Sequence, residues 1–397
     1  MSLPPLIQGH CAPPFSPLRN TLTENLQAGE ELGFSLSVTV GNETVVDLWG
    51  GYADAARTQP WTANTVTCIF SSSKVITNLA ANMLIDRGLL DPSAPVARYW
   101  PEFAANGKET ILVKHVLSHT AGLPAWEQPI TLEEICDTPV ATAKLAAQQP
   151  WWSPPGSHLG YHPATQGVLV GELVRRITGQ SLGAFVQSEI AEPLGVDYRL
   201  GVLPADEEGD PARVAEMVPQ PQMLSLEGLD PASIMMRTTM GSPIPPQAVN
   251  GAGAPLRRTE LGGTNGFSNA RAMARIGSMV VNGGELDGKR FLSPETINRI
   301  LEPQVDAVDS VMGKRMSWGL GWALPTSGNS YDLVTDGRVA YWEGWGGSIL
   351  IMDLDRKMCI AYAMNKMGAS LEGDSRTQAY VKQIYQIARD MQDTKKV

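Results

Sequence analysis

The two ends of the chain carry the same local pattern, and this repetition constrains the fold more than any other feature. Near the start, a helical pattern runs over about Pro17–Leu32, with Ser16 as its N-cap. Phe34–Val40 then alternates apolar and polar residues, and Val45–Trp49 follows after a Gly41-Asn42 turn. This predicts a helix followed by a β-hairpin with one face on a core.

The C-terminal end mirrors this arrangement. Ser348–Asp353 and Met358–Met364 are predicted as a second hairpin, and an apolar stripe predicts a helix over about Ser375–Met391. Strand signals are sparse between the two ends, where helix-like segments dominate. The pattern therefore predicts an α+β fold, in which one antiparallel sheet is built from both chain ends and flanked by helices, with a mostly helical inserted domain.

The predicted domain boundaries follow from this organisation. Residues 1–92 and 301–397 are assigned to a discontinuous sheet domain, and 93–300 to the helical domain. Small-molecule sites commonly form between such units, so the active site is expected in the cleft between them. With 43% hydrophobic and 18% charged residues, the 397-residue chain has the composition of a soluble globular protein.

Charge and segment patterns narrow the expected partners and location. The net charge of −10, without basic runs, argues against nucleic acid or an anionic membrane as a partner. No apolar run is long enough to span a bilayer, and Met1–Pro5 lacks the basic start and apolar core of a secretory signal. The four cysteines are widely spaced and match neither a disulfide framework nor a zinc site. A cytoplasmic location is expected.

The most informative motif is Ser71-Ser-Ser-Lys74, at the start of a predicted amphipathic helix. Residues three apart on a first helical turn share one face, so the hydroxyl of Ser71 and the amine of Lys74 are expected to be neighbours. A buried lysine can remove the proton of a serine, because desolvation lowers its pKa. Ser-x-x-Lys alone also fits an ordinary N-cap followed by a solvated lysine.

Further motifs follow in a fixed order and raise the weight of the catalytic interpretation. They are Ser118-His-Thr-Ala-Gly-Leu-Pro124, Gly160-Tyr-His-Pro163, Thr264-Asn-Gly-Phe-Ser268 and Glu343-Gly-Trp-Gly-Gly-Ser348. Through this ordered set, over nearly the whole chain, the sequence resembles the serine β-lactamase and penicillin-binding-protein superfamily. It is most similar to the family VIII carboxylesterases in that superfamily.

The resemblance implies roles for particular residues. Ser71 would be the acylated nucleophile, with Lys74 and Tyr161 as its proton-transfer partners. The formal base stays open between lysine and tyrosine, which are expected to titrate as a coupled pair. The main-chain N–H groups of Ser71 and Ser348 would form the oxyanion hole.

Two departures from the superfamily pattern bear on the substrate. Pro163 replaces the asparagine of the Tyr-x-Asn triplet, and proline has no side-chain hydrogen-bonding group. Trp345-Gly346-Gly347 stands where relatives carry Lys-Thr-Gly, and an indole cannot supply the positive charge that attracts a substrate carboxylate. These three residues are predicted to bind substrate, and both departures disfavour a penicillin or peptide.

Rival chemistries find less support. The chain has no Gly-x-Ser-x-Gly elbow, and His119 is interpreted as structural. Neither histidine pair at four-residue spacing forms a His-Glu-x-x-His motif, and no nucleotide-binding fingerprint is present, so no metal or cofactor is expected. The remaining aromatics near the motifs line either the cleft or the core: Trp126, Trp151, Trp152 and Trp342. The Met-containing segment at 234–240 is a candidate cover for the site.

The sequence thus predicts a cofactor-free serine carboxylesterase that hydrolyses small to medium carboxylic esters through an acyl-enzyme on Ser71. An acyltransferase on the same scaffold and a β-lactamase or DD-peptidase are the alternatives. The expected partner is a small-molecule ester. The oligomeric state stays open, with a homodimer as one candidate.

Overall fold

The computed structural model describes residues 7–202, 213–220, 230–251, 253–326, 337–369 and 373–394. The segment used in the prediction about secretion, Met1–Pro5, lies outside these residues. In the ranges given, none of the helices combines the length and hydropathy that a bilayer-spanning helix needs.

A large antiparallel sheet organises the described part of the chain. It contains nine strands, and neighbouring strands pair antiparallel throughout. From one edge to the other, the strand order is Gln8–Cys11, Glu43–Gly51, Gly33–Val40, Met358–Met364, Ile349–Asp353, Val339–Glu343, Ala323–Leu324, Arg315–Trp318 and Val305–Val308. Shorter strands lie apart from this sheet at Thr67–Cys68, Tyr198–Leu200, Gly266–Ser268, Glu285–Leu286 and Lys289–Arg290.

The two predicted hairpins meet at the centre of the sheet. Gly33–Val40 pairs with Met358–Met364, with Leu36 opposite Tyr362. These strands are almost fully buried, because the sheet is covered by helices. The prediction of an antiparallel sheet built from both chain ends and flanked by helices is confirmed.

The N-terminal helix begins and ends earlier than the sequence pattern indicated. It covers Ser16–Ala28, so Ser16 is its first residue instead of its N-cap. Gly29 follows in the left-handed conformation (φ 76°) and donates its N–H to the Leu26 carbonyl. Glycine adopts this conformation without steric cost, which ends the helix. The prediction of a helix extending to Leu32 was therefore wrong.

The other helices cover the sheet or form the segment inserted between its strands. They are Ser73–Asp86, Val113–Leu117, Leu132–Cys136, Thr138–Ala147, Thr165–Thr178, Leu182–Val186, Glu192–Leu194, Ile234–Met240, Ala270–Val281, Pro294–Ile300 and Ser375–Thr394. Ala270–Val281 packs directly on the central strands, where a Cβ on Gly277 would lie 2.3 Å from Cys359 Sγ. The sequence assigned this helix to the inserted segment, and the domain boundaries remain a prediction.

Candidate active site

Ser71 lies at the entrance to a long buried helix. It belongs to the 3₁₀ turn Phe70–Ser72, which continues directly into the helix Ser73–Asp86. Phe70 has a positive φ of 41°, a conformation that non-glycine residues rarely adopt. Such backbone strain is concentrated at functional sites in proteins, because the surrounding structure has to maintain it.

The helix after Ser71 is not amphipathic, contrary to the prediction. Every residue from Ser73 to Ile85 is buried, including Lys74 and the two asparagines. The asparagines explain how polar residues are accommodated: Asn78 donates to the Gly321 carbonyl (2.7 Å), and Asn82 donates to the Leu320 carbonyl (2.9 Å). The helix thus lies in the centre of the molecule, with neighbours on every side.

Three consecutive serines have different surroundings. Ser71 is on the wall of a cavity. The Ser72 hydroxyl is buried and lies 3.0 Å from the Ser348 hydroxyl. The Ser73 hydroxyl accepts the N–H of Gly266 (2.8 Å) and donates to the Phe70 carbonyl. Of the three, Ser71 alone lines the cavity.

Lys74 is buried and its amine is surrounded by oxygen atoms. Its Nζ lies 3.1 Å from Ser71 Oγ, 2.5 Å from the Pro163 carbonyl and 2.6 Å from the Gly263 carbonyl. In the described residues no carboxylate lies within ion-pair distance of it. Desolvation by burial therefore lowers the pKa of Lys74 well below its ordinary value of 10.5.

Tyr161 lies on a loop that is fixed through its backbone. Its main-chain N–H donates to Asp309 Oδ1 (3.1 Å), and the N–H of the following residue, His162, donates to His119 Nδ1 (3.0 Å). Lys74 Nζ is 5.0 Å from the centre of the Tyr161 ring. The indole N–H of Trp342 donates to the Tyr161 hydroxyl oxygen (3.0 Å). The structure thus brings Ser71, Lys74 and Tyr161 together.

His119 packs beside this group. Its ring centre is 4.8 Å from that of Tyr161 and 4.2 Å from that of Trp318. Desolvation by burial, with smaller effects of His162 and Lys74, lowers the pKa of His119 well below its usual range. A neutral imidazole accepting a backbone N–H agrees with the structural interpretation of this residue. Within the described ranges, no three histidine, cysteine, aspartate or glutamate side chains are grouped closely enough to hold a metal ion.

Ser348 lies against the turn that contains Ser71. Its hydroxyl donates to the Ile69 carbonyl (2.8 Å), two residues before Ser71, and contacts the Ser72 hydroxyl on the other side. A Cβ on Gly344 would lie 2.1 Å from the Ile69 carbonyl oxygen, so glycine permits this close approach. The role of the Ser71 and Ser348 N–H groups as an oxyanion hole remains a prediction.

The Trp-Gly-Gly motif divides into two parts. Trp345 lines the cavity, and its ring meets the ring of Phe70 edge to face at 5.8 Å. Gly346 and Gly347 are not on the cavity wall. A Cβ added to Gly346 would lie 2.8 Å from the Cβ of Met367, and a Cβ added to Gly347 would lie 3.1 Å from the Cβ of Asp374. Both glycines have positive φ, so packing and conformation require them, and their role in binding remains a prediction.

The cavity beside Ser71 has a volume of about 180 Å³. Most of its wall is apolar or aromatic: Phe70, Tyr161, Pro163, Ala164, Met235, Ile244, Val311, Met312, Trp342 and Trp345. The helix Ile234–Met240 contributes Met235, Thr238 and Thr239, so the segment considered as a cover for the site does form part of the wall. No lysine or arginine among the described residues lies on this wall. Its acidic residue, Glu343, accepts the N–H of Gly373 (2.8 Å).

Sequence reasoning missed two contributors to the site and left a third, Trp342, undecided between the cleft and the core. The carbonyls of Pro163 and Gly263 hold Lys74, and a backbone group leaves no trace in the residue type. Trp342 was considered only as a candidate for the cleft or the core, and it is the one of those four tryptophans on the cavity wall. The sequence feature that could have placed Trp342 at the site is its position six residues before Ser348, in a strand that ends at Glu343.

A serine, a buried lysine and a tyrosine at a cavity between a sheet and a helical segment define a class, the serine hydrolases with a β-lactamase-like fold. Comparison with known proteins gives the same class. The Beta-lactamase family profile matches residues 18–383, and the chain belongs to this family.

The relatives add detail. The chain is 39% identical over 348 residues to Esterase/beta-lactamase LipL of Mycobacterium tuberculosis, covering 84% of this chain and 77% of the relative. A family VIII carboxylesterase crystal structure superimposes with a TM-score of 0.86 at 34% identity, covering 96% of this chain and 99% of the other. A penicillin-binding protein homolog from Caulobacter crescentus gives 0.87 at 32%, with the same coverage. The predicted fold and family resemblance are confirmed, and the esterase relatives support a serine hydrolase acting on ester bonds.

Proposed function

We propose that this protein is a serine carboxylesterase that hydrolyses small to medium, uncharged carboxylic esters through an acyl-enzyme on Ser71. One observation carries the proposal: the amine of a buried lysine, Lys74, lies 3.1 Å from Ser71 Oγ at the wall of a cavity. A serine hydroxyl becomes a useful nucleophile when an adjacent base takes its proton. Lys74 is the base at this position.

The three oxygens around Lys74 match the three hydrogens of an ammonium, and they also accommodate the uncharged amine that the proton transfer requires. A neutral amine has two hydrogens and one lone pair. The two hydrogens match the carbonyls of Pro163 and Gly263, and the lone pair then faces the Ser71 hydroxyl. In this state the serine donates its hydrogen bond to the lysine, which is the geometry for proton transfer. The lowered pKa of Lys74 agrees with this state.

Tyr161 completes the proposed proton transfers. As Ser71 attacks the ester carbonyl, Lys74 takes the serine proton, and the phenol of Tyr161 gives its proton to the departing alkoxide. The acyl-enzyme then contains a lysine ammonium beside a phenolate. In deacylation the phenolate takes a proton from water, the resulting hydroxide attacks the acyl carbon, and the ammonium returns its proton to the Ser71 oxygen. Both groups end in their starting states.

The oxygen of the tetrahedral intermediate requires donors of its own. The main-chain N–H groups of Ser71 and Ser348 are the proposed pair, supported by the two hydrogen bonds that hold Ser348 next to the Ser71 turn. Preorganised donors of this kind stabilise the charge that develops on the carbonyl oxygen. The N–H of Ser71 also lies near the positive end of the helix Ser73–Asp86.

The cavity supports the choice of an uncharged substrate. Its wall is mostly apolar, it has Glu343 as its acidic residue, and no lysine or arginine of the described chain lies on it. An anionic substrate would lose its hydration there without gaining a cationic partner. We therefore propose a small-molecule ester as the partner and place β-lactamase activity, which the name of one relative includes, second. A cytoplasmic location, no nucleic-acid or membrane partner, and hydrolysis in preference to acyl transfer are part of this proposal.

Ser71→Ala tests the proposal, with Ser73→Ala as the matched control from the same serine run. We expect Ser71→Ala to lose at least about 10³-fold in hydrolysis of p-nitrophenyl butyrate, and Ser73→Ala to retain most of the turnover. The wild type should hydrolyse the butyrate ester faster than a chromogenic cephalosporin, and an added alcohol should capture little of the acyl group. Substantial turnover by folded Ser71→Ala would refute the assignment.

A further inference from the structure

The hydrogen bond between Trp342 and Tyr161 joins the two sides of the cleft. Trp342 belongs to the sheet strand Val339–Glu343, whereas Tyr161 lies on the loop before the helix Thr165–Thr178. The indole nitrogen is 3.0 Å from the phenol oxygen, and both side chains are buried. The ring centres are 5.1 Å apart.

The direction of this hydrogen bond is fixed by chemistry. An indole N–H can donate and cannot accept, so the Tyr161 oxygen is the acceptor. A donor aimed at an oxygen favours its negatively charged form over its neutral form. In a buried site this preference is stronger than in water. The contact therefore favours the step in which the phenol gives up its proton.

The sequence match alone would have pointed to a different tryptophan. Trp345 stands where relatives carry the lysine of Lys-Thr-Gly, but its ring meets Phe70. Trp342, three residues earlier, is the one that reaches the phenol. The uncharged indole N–H of Trp342 can stabilise a negative charge on the Tyr161 oxygen without placing a cation on the cavity wall.

We propose that Trp342 is a positioning residue for the esterase reaction: its indole N–H holds the Tyr161 oxygen and stabilises the phenolate that forms when the leaving alcohol is protonated. This inference rests on the proposed function. It assigns Trp342 an effect through Tyr161, separate from its contribution to the cavity wall.

A purely structural role predicts different behaviour, and Trp318 provides the comparison. The rings of Trp318 and Tyr161 are nearly parallel, with centres 6.1 Å apart. The Trp318 indole N–H makes no hydrogen bond within the described residues. Trp318→Phe therefore removes packing around Tyr161 and leaves the donor to its oxygen in place, which makes it the matched control for Trp342→Phe.

The test measures kcat/KM for two esters of the same acid with different leaving groups. p-Nitrophenoxide leaves without protonation, whereas an ethoxide needs an acid. Trp342→Phe should reduce kcat/KM for ethyl butyrate by about tenfold to a hundredfold, because the free energy of a hydrogen bond to a charged group corresponds to a factor of about this size. For p-nitrophenyl butyrate the reduction should stay below about threefold. Trp318→Phe should reduce both values by the same factor.

A second variant distinguishes the loss of the indole N–H from misfolding caused by a change in ring shape. Replacing Trp342 by 3-benzothienylalanine keeps the ring shape and removes the N–H, so it should reproduce the selective loss with ethyl butyrate. Equal losses for both esters, or no loss with the benzothienyl side chain, would overturn the role of Trp342. If instead the wild type forms no acyl adduct on Ser71, the proposed function itself fails, and the two outcomes are thereby distinguished.

Discussion

Two of the buried lysine and arginine side chains in the described part of the chain, Lys74 and Arg376, have opposite surroundings. Lys74 in the cleft has two carbonyls and a hydroxyl around its amine. Arg376, at the start of the C-terminal helix, lies 3.0 Å from carboxylate oxygens of both Glu31 and Asp374. It also donates to the main-chain carbonyls of Glu30 and Lys366 (both 2.9 Å).

The difference determines which cation keeps its proton. Burial lowers the pKa of Lys74, and no carboxylate of the described residues opposes this effect. Burial alone would also lower the pKa of Arg376, but the acidic groups of Tyr362, Glu31 and Asp374 outweigh it and raise that pKa. Arg376 therefore remains a permanent charge that ties the chain ends together, whereas Lys74 can accept and return a proton.

A third buried cation shows what else the site needs. The amine of Lys108 donates to the carbonyls of Ala105 and Gln148, and desolvation lowers its pKa to about 8. It resembles Lys74 in burial and in its carbonyl partners. Within the described residues, the Lys108 amine makes no hydrogen bond to a serine hydroxyl. Lys108 is also not on the wall of the cavity beside Ser71. In the proposed function, Lys74 differs from Lys108 in having the Ser71 hydroxyl beside its amine.

The strongest loss of activity is predicted for removal of the Lys74 amine, with the corresponding change at Lys108 as its control. Lys74→Met should reduce kcat/KM for p-nitrophenyl butyrate by about 10²–10⁴-fold, because general-base catalysis of the Ser71 attack is lost. Lys108→Met, which removes the other buried, carbonyl-bound lysine amine, should stay within about threefold of the wild type. Comparable losses in the two folded variants would remove the distinction between these lysines.

A smaller effect, on stability, is expected at the ion-paired cation. Arg376→Met leaves Glu31 and Asp374 buried without their partner, so the free energy of unfolding should fall by about 3–5 kcal/mol in urea denaturation. Arg290→Met, at the half-exposed pair with Glu285, should change it by less than about 1 kcal/mol. Turnover per folded molecule should be unchanged in both. If Arg376→Met reduced turnover without reducing stability, its cluster would belong to the active site.

The sequence was sufficient for the parts of the fold that depend on local pattern. Both hairpins could be predicted because alternating residues and turn signals lie next to each other in the chain. The strands Val305–Val308 to Ala323–Leu324 were missed, since they have two to four residues each and too little alternation to recognise. The left-handed Gly29 shortened the first helix, and its conformation is visible only in the structure.

In the site, too, the contacts that depend on local spacing could be predicted from the sequence. Ser71 and Lys74 are three residues apart, so their contact follows from local geometry, and Tyr161 came from the family resemblance. The carbonyls of Pro163 and Gly263 were not predictable, because these positions are 89 and 189 residues from Lys74 and act through the backbone. The Trp342 hydrogen bond likewise depends on how the sheet meets the helical segment.

In the proposed mechanism, folding holds Lys74 as an uncharged amine that can take the proton of Ser71. The direct measurement is an NMR titration of the protein with ¹³C,¹⁵N-labelled lysine, in which Lys74→Met and Lys108→Met assign the two buried resonances. We predict that the pKa of Lys74 lies well below 10.5 and that the pKa of Lys108 is about 8. A Lys74 resonance that stays in the ammonium form up to pH 10 would contradict the account.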